Sequence, residues 1–179
     1  VERLVVDTVV YCPAEEAYEF LLDFPGYANY SEYLKSVAEL NGGDDGENAR
    51  YALRFTWWKL TYTARSEVTE TVEPERIEWR VLGKFKARGR WLIDPMDELP
   101  ADAPHWAEEA CKITFQVEYD ADTADSGMLD LPAFISLDYV VDKAKPLVKK
   151  EARRVVARAV EDLEGSRRPV DVTMETRDI

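Results

Sequence analysis

An α+β domain, with a long curved antiparallel sheet followed by a long C-terminal helix, is predicted by three observations. Apolar and polar residues alternate from Val37 to Tyr119, the period-2 signature of strands buried on one face. Short turn-forming breaks divide that stretch, so its connections read as hairpins, which parallel pairing does not allow. Helical periodicity then takes over in "PLVKKEARRVVARAVEDLEG". The 179 residues suit one domain, expected over 1–165 with a tail at 166–179.

Each element follows from local chemistry. "RLVVDTVVY" is rich in β-branched residues and reads as a strand. In "CPAEEAYEFLLD", Pro13 at the first helical position and Glu15 and Glu16 in the first turn mark a helix start. "FPGY" breaks that helix, and Tyr27, Tyr30 and Tyr33 fall on one face of a second short helix. The alternation then gives a sheet of six to seven strands, broken at "NGGDDGEN", near Trp58, at "EPER", at "LGKF" and across "DPMDELPADAPHWAEEA". In the last helix Val148, Ala152, Val155, Val156, Ala159, Val160 and Leu163 form one stripe, and Gly165 supplies the stop. Pro146 is expected to bend or restart this helix. The tail either adds an edge strand through Val170, Val172 and Met174 or stays loose.

Composition narrows the function classes. Hydrophobic residues at 46% and charged ones at 33%, with only eight Gly, exclude a disordered or collagen-like chain. Acids outnumber bases 36 to 23, and the resulting −13 repels phosphate backbones and anionic headgroups, so nucleic acid is not an expected partner. Fourteen Arg against nine Lys beside this acid resembles halophilic proteins, whose self-repulsion salt screens. Two cysteines make no disulfide framework, and neither a leader nor an 18-residue apolar run is seen, so a cytoplasmic protein without a membrane span is expected.

The order strand, two short helices, meander, long helix resembles the START-like, or SRPBCC, superfamily with its helix-grip fold. The most specific piece is "VVYCPAEEAYEFLLDFPGYANYSEYLKSV", similar to the entry pattern of the polyketide cyclase and coenzyme Q-binding branch, with "WLIDP" and "VVARAVEDLEG" as weaker matches. The resemblance covers roughly residues 1 to 165. It implies a sheet curled around the last helix with an apolar cavity between them for a hydrophobic ligand.

The inward parity independently supplies an oily surface. Tyr51, Phe55, Trp57, Tyr62, Ser66, Trp79, Trp91 and Phe115 are the expected ligand-facing positions on the sheet, opposite Val148, Ala152, Val155, Val156 and Ala159 of the helix. The same residues also suit plain core packing; the small Val and Ala side chains on the helix are what leave room for a ligand. The hydroxyls of Tyr62 and Ser66 are the expected orienting atoms. Catalysis needs a titratable group inside, and the inward parity offers almost none apart from Glu70, near a strand end where a bulge, if present, would reverse its direction. Arg54, Arg65, Arg80 and Arg90 fall on the wet face. No catalytic residue, metal or cofactor is therefore assigned.

Other features carry two readings each. His105 and Trp106 form a lid over the cavity mouth or an ordinary exposed loop. Cys12 closes the first strand and Cys111 opens the last, strands that the resembled helix-grip order makes antiparallel neighbours, so the two are either a redox pair or two buried thiols. Asp44, Asp45 and Glu47 lack the spacing of a calcium loop and read as a solvated hairpin turn. "KKEARR" is a basic patch on the outer helix face, with Arg158 set to pair with Asp162. Trp58, opposite in parity to Trp57, borders the entrance or a dimer contact.

The function expected from these residues is non-covalent binding or transport of a hydrophobic small molecule: a lipid, an isoprenoid quinone or a polyketide-like ring compound. Two alternatives stand beside it. One is a polyketide cyclase or aromatase-type lyase or dehydratase, which needs an ionisable group in the cavity. The other is a protein–protein interaction module, as in START-like co-chaperones and ribosome-associated proteins, which needs a filled interior.

Overall fold

The computed structural model describes residues 1–41, 46–57, 60–123 and 137–179, excepting the side chains of 137, 138 and 141. The expectations for Trp58, Asp44, Asp45 and the segment "ADSGMLDLPAFIS" lie outside the described residues. The elements are β1 (Glu2–Val10), α1 (Ala14–Leu22), a 3₁₀ helix (Phe24–Asn29), β2 (Leu34–Asn41), β3 (Arg50–Trp57), β4 (Leu60–Val72), β5 (Arg76–Leu82), β6 (Lys86–Pro95), β7 (Cys111–Asp120), a 3₁₀ turn (Ala121–Thr123), α2 (Leu137–Glu164) and β8 (Thr173–Asp178).

The strands form one sheet in the order β2-β3-β4-β5-β6-β7-β1-β8, with every pair antiparallel. The sheet has eight strands rather than six to seven, because the tail pairs with β1. That strand begins at Thr173, later than the apolar run at Val170 suggests, and brings Met174 opposite Val6. Thr8 Oγ donates to the Asp171 carbonyl at 2.7 Å and ties down the segment leading into it.

α1 buries Ala14, Ala17, Tyr18 and Leu21, the i, i+3, i+4, i+7 line of an amphipathic helix. Pro13 stands one place earlier than expected, as the extended N-cap whose carbonyl accepts from Ala17 at 3.2 Å. The second short helix also lies earlier than expected. "FPGYAN" is itself the 3₁₀ helix, with Pro25 in its first turn, while Tyr33 already accepts from Thr56 at 2.8 Å on the sheet. Proline opens a helical turn as readily as it ends one, because the first N–H groups have no intrahelical partner.

A bulge between Val68 and Glu70 reverses the pleat of β4. It carries Glu70 to the convex face, opposite Glu78 and 3.2 Å from Arg76 Nη2. Arg54, Arg65 and Arg80 are exposed on that same face, and Arg90 is half-buried there, donating to Gln116 Oε1 at 3.2 Å.

α2 runs as one helix with Pro146 inside it, so no restart occurs. Lys145 and Pro146 are exposed, as is Asp142, four residues back, so the carbonyl that loses its donor sits beside solvent. The buried line nonetheless changes face along α2. Val140, Ala144, Leu147 and Glu151 turn inward first, then Ala152, Val156, Val160 and Leu163. Val148, expected on the inward stripe, is 49% exposed. Projecting the second half's stripe straight back toward Pro146 misplaces it.

The core joins α1 to the sheet and to the end of α2. Ile77 and Ile93, at 0% and 1% exposed, lie with Val68, Cys111, Tyr18, Phe24 and Val160 in one cluster. Glu164 closes α2 with its carboxylate fully buried. It accepts from Arg168 at 2.7 and 2.9 Å and from the Tyr11 amide at 2.9 Å. Arg168 in turn donates to the Val9 carbonyl at 2.9 Å and covers the Tyr11 ring.

Candidate functional site

The concave face of the sheet follows from the register. Tyr51 stands opposite Ser66, Phe55 opposite Tyr62 and Trp57 opposite Leu60. Trp79 faces Gly89, and Trp91 faces both Ile77 and Phe115. All eight sheet positions expected to face a ligand therefore share one face, and each is half-buried. On α2, Ala152, Val155, Val156 and Ala159 are half-buried as well, while Val148 stands apart.

Six of the rings form a chain of contacts across this face. Tyr51 meets Phe24 at 5.0 Å between centroids, Phe24 meets Tyr27 at 5.1 Å, and Tyr27 meets Trp91 edge-on at 6.3 Å. Trp91 meets Phe115 at 4.7 Å, and Phe115 lies nearly parallel to Trp79 at 6.1 Å and 18°. Such offset and edge geometries are the favourable ones for ring quadrupoles. Phe55 and Tyr62 form a second, stacked pair at 6.5 Å. Phe24 and Tyr27 belong to this wall although the sequence pattern assigns neither to it. Their signal is the aromatic spacing within "FPGY", which the Pro-Gly pair disguises as a break.

Gly89 sets the orientation of Trp79. A Cβ at that position would lie 2.3 Å from Cζ2 of the indole and 2.8 Å from the Gln116 carbonyl oxygen. Only glycine lets the indole lie against the strand backbone.

Few polar atoms reach the wall. The Tyr27 hydroxyl donates to the Leu21 carbonyl, and burial pushes its pKa well above the ordinary tyrosine value. Burial also raises Tyr62 and Tyr51, the latter with help from the Glu39 carboxylate. The hydroxyls of Tyr62 and Ser66 have no hydrogen-bond partner among the described residues. Three carboxylates share the concave parity, all toward one end of the strands: Glu39, opposite Tyr51, is exposed, and Glu2, which accepts from the Tyr119 hydroxyl, stands opposite the exposed Asp178. No carboxylate, histidine, lysine or arginine among the described residues stands between the rings.

The remaining expected features sit elsewhere. His105 is exposed, and Trp106 packs edge-on against Tyr11 at 6.1 Å, its ring partner among the described residues. Cys12 and Cys111 are buried free thiols, with Cys111 Sγ 3.5 Å from the Cys12 carbonyl oxygen. The neighbouring Cys111 thiol and burial both hold Cys12 protonated. Arg158 does not pair with Asp162. It donates to the Tyr30 carbonyl at 3.1 Å and approaches Glu32 at 3.7 Å, while Asp162 accepts from the Tyr30 hydroxyl. Within the basic patch Glu151 is buried, receiving Ser31 Oγ and the Glu32 amide at 3.2 Å each. A depression of about 390 Å³ at the end of α2 is lined by Arg158, Glu161, Asp162, Gly165, Ser166 and Arg167, a charged surface unlike the aromatic wall. Among the described residues no three potential metal-ligating side chains converge, and no helix is long and apolar enough to cross a membrane.

A family model described as polyketide cyclase / dehydrase and lipid transport matches residues 2–164. No curated protein matches the sequence. Among solved structures, a START superfamily protein from Mycobacterium smegmatis is similar with a TM-score of 0.60 at 16% identity, covering 91% of this chain and 99% of that one. The ZhuI aromatase/cyclase from Streptomyces sp. R1128 is similar with a TM-score of 0.58 at 19% identity, covering 92% and 94%. The di-domain aromatase/cyclase BexL from the BE-7585A biosynthetic pathway gives 0.57 at 14% identity, covering 93% of this chain and 50% of that one. At these identities the likeness establishes a shared helix-grip fold.

Proposed function

We propose that this chain, which belongs to the polyketide cyclase / dehydrase and lipid transport family, binds a hydrophobic small molecule without covalent chemistry. The ligand is a lipid, an isoprenoid quinone or a polyketide-like ring compound, held between the concave sheet face and α2. The observation that carries this reading is the chain of rings from Tyr51 to Trp79, whose members on the strands stay half-buried in the folded protein. Trp79, Trp91, Phe115, Phe55 and Tyr62 on the sheet, with Ala152, Val155, Val156 and Ala159 on the helix, are the proposed contacts.

The driving force is apolar burial. About 300 Å² of ligand surface at ~25 cal/mol per Å² gives roughly 7 kcal/mol before the costs of association, which places the affinity in the micromolar range or weaker from this contribution alone. Orientation falls to the Tyr62 and Ser66 hydroxyls. Tyr62 stays neutral near pH 7, since burial raises its pKa further above 10, and so serves as a hydrogen-bond donor.

Native mass spectrometry of the purified chain, with organic extraction of any adduct, tests the proposal. A one-to-one adduct of an apolar compound is expected. Preparations that repeatedly carry nothing, together with quinones and fatty acids that fail to quench tryptophan fluorescence, overturn it. Conversion of an offered poly-β-ketone chain to a cyclised product assigns the chain to the enzymes of the family instead.

A further inference from the structure

We infer that the convex face of the sheet is a docking surface for a carboxylate-rich protein partner. The chain is strongly acidic at −13, yet its convex face is not. Nine of the fourteen arginines project from it: Arg3, Arg50, Arg54, Arg65, Arg76, Arg80, Arg88, Arg90 and Arg177. With Lys86 and Lys112 they make eleven cations against eight carboxylates on the strands of this face. The face is therefore positive while the rest of the surface carries more than the whole negative charge.

The arginines are ordered by the register. Arg50, Glu67, Arg80, Arg88, Glu118, Arg3 and Arg177 stand opposite one another in a single row across seven strands. At about 4.8 Å between strands the row is roughly 29 Å long. Glu67 accepts from Arg50 at 2.8 Å and from Arg80 at 3.0 Å. Glu118 likewise serves Arg3 at 2.5 Å and Arg88 at 2.9 Å. Each carboxylate is already shared between two guanidiniums, so the row is short of acceptors.

The shortage is greatest at the centre. Arg80 and Arg88 face each other directly, a like-charge pair that destabilises a sheet. Their side chains are 56% and 77% exposed, and each is held by a carboxylate on its far side only. A guanidinium has five N–H donors, and those turned to solvent here fit an incoming carboxylate. Arg54 and Arg65, exposed beside the row, make no ion pair among the described residues.

The row favours protein over nucleic acid. Glu67 and Glu118 interrupt it at intervals, which suits carboxylates spaced along a protein element and opposes a continuous phosphate chain. A polyphosphate longer than the row would also meet the acidic remainder of the surface.

Fluorescence anisotropy of a fluorescein-labelled helical peptide with glutamate at every third or fourth position tests this. Saturable binding is expected, weakened by raising NaCl from about 50 to 300 mM. The Arg80→Gln/Arg88→Gln double variant should bind at least tenfold more weakly, and Arg54→Gln/Arg65→Gln, which removes no ion pair, at least threefold. Lys149→Gln/Lys150→Gln on α2 should bind as the parent does, and a twenty-base oligothymidine should not compete. A peptide that fails to bind, double variants that bind within twofold of the parent, or an oligonucleotide bound in preference to the peptide would each overturn the inference.

Discussion

Replacing Gly89 with alanine perturbs the aromatic wall by a single methyl group. The new Cβ would lie 2.3 Å from Cζ2 and 2.7 Å from Cε2 of Trp79, against the ~3.5–4.0 Å of an unstrained carbon contact. Shifting the β6 backbone does not relieve this, because the Gln116 carbonyl oxygen stands 2.8 Å away on β7. The indole must swing off the strand by more than 1 Å, which separates it from Phe115. Overpacking of this kind costs about 1–3 kcal/mol and the lost ring pair another ~0.5–1.5. The entropy that alanine removes from the unfolded chain returns about 0.4–1. The net expectation is a loss of ~2–3 kcal/mol, read as a lower urea midpoint at unchanged slope. A Trp79→Phe background should recover at least ~1 kcal/mol of it, since the smaller ring clears the methyl group. Unchanged stability within ~0.5 kcal/mol and an unchanged near-ultraviolet spectrum would refute the placement of the indole.

Three further outcomes are expected. Glu164→Gln leaves Arg168 with a weakened partner in a nearly buried setting, so urea unfolding should show a loss of about 2–4 kcal/mol. Arg50 and Arg80 hold Glu67, and Arg3 and Arg88 hold Glu118, below the ordinary carboxylate pKa of 4.5. Their contribution to stability is present above that value and lost as pH falls through the lower folded pKa. Urea midpoints measured from pH 6 to pH 3 should therefore fall less steeply in Glu67→Gln than in the parent. Cys12 and Cys111, buried and with Cys12 held protonated, should not react with an aromatic disulfide reagent at pH 8 until urea unfolds the chain.

Strand parity was legible because one face of the sheet is buried and the other wet: Ile77 and Trp91 point inward while Arg80 and Arg88 point outward. What parity alone does not carry is the added residue of a bulge. The extra position between Val68 and Glu70 turns Glu70 outward, and with it goes the one inward carboxylate the alternation suggests in mid-sheet. The eighth strand is mostly polar, "TMETRD", and exposed on an edge, so pairing with β1 rather than its own pattern defines it. The changing buried face of α2 depends on where the helix lies across a curved sheet, which the helical repeat does not encode. For the site, the strand aromatics were readable from alternation. Phe24 and Tyr27 were not, because their contacts with Tyr51 and Trp91 are made between elements distant in sequence.

Indole NMR addresses the binding face most directly. Each of the five tryptophans contributes one indole N–H signal, so a titration with a short-chain quinone or a fatty acid reports on each ring separately. The expected result is a saturable shift of the Trp79 and Trp91 signals at micromolar to sub-millimolar ligand, abolished for both ligands when Phe115 is replaced by aspartate in a chain that still folds. Signals of Trp79 and Trp91 that stay in place, with both ligands at their solubility limit, would contradict a hydrophobic guest on the concave face.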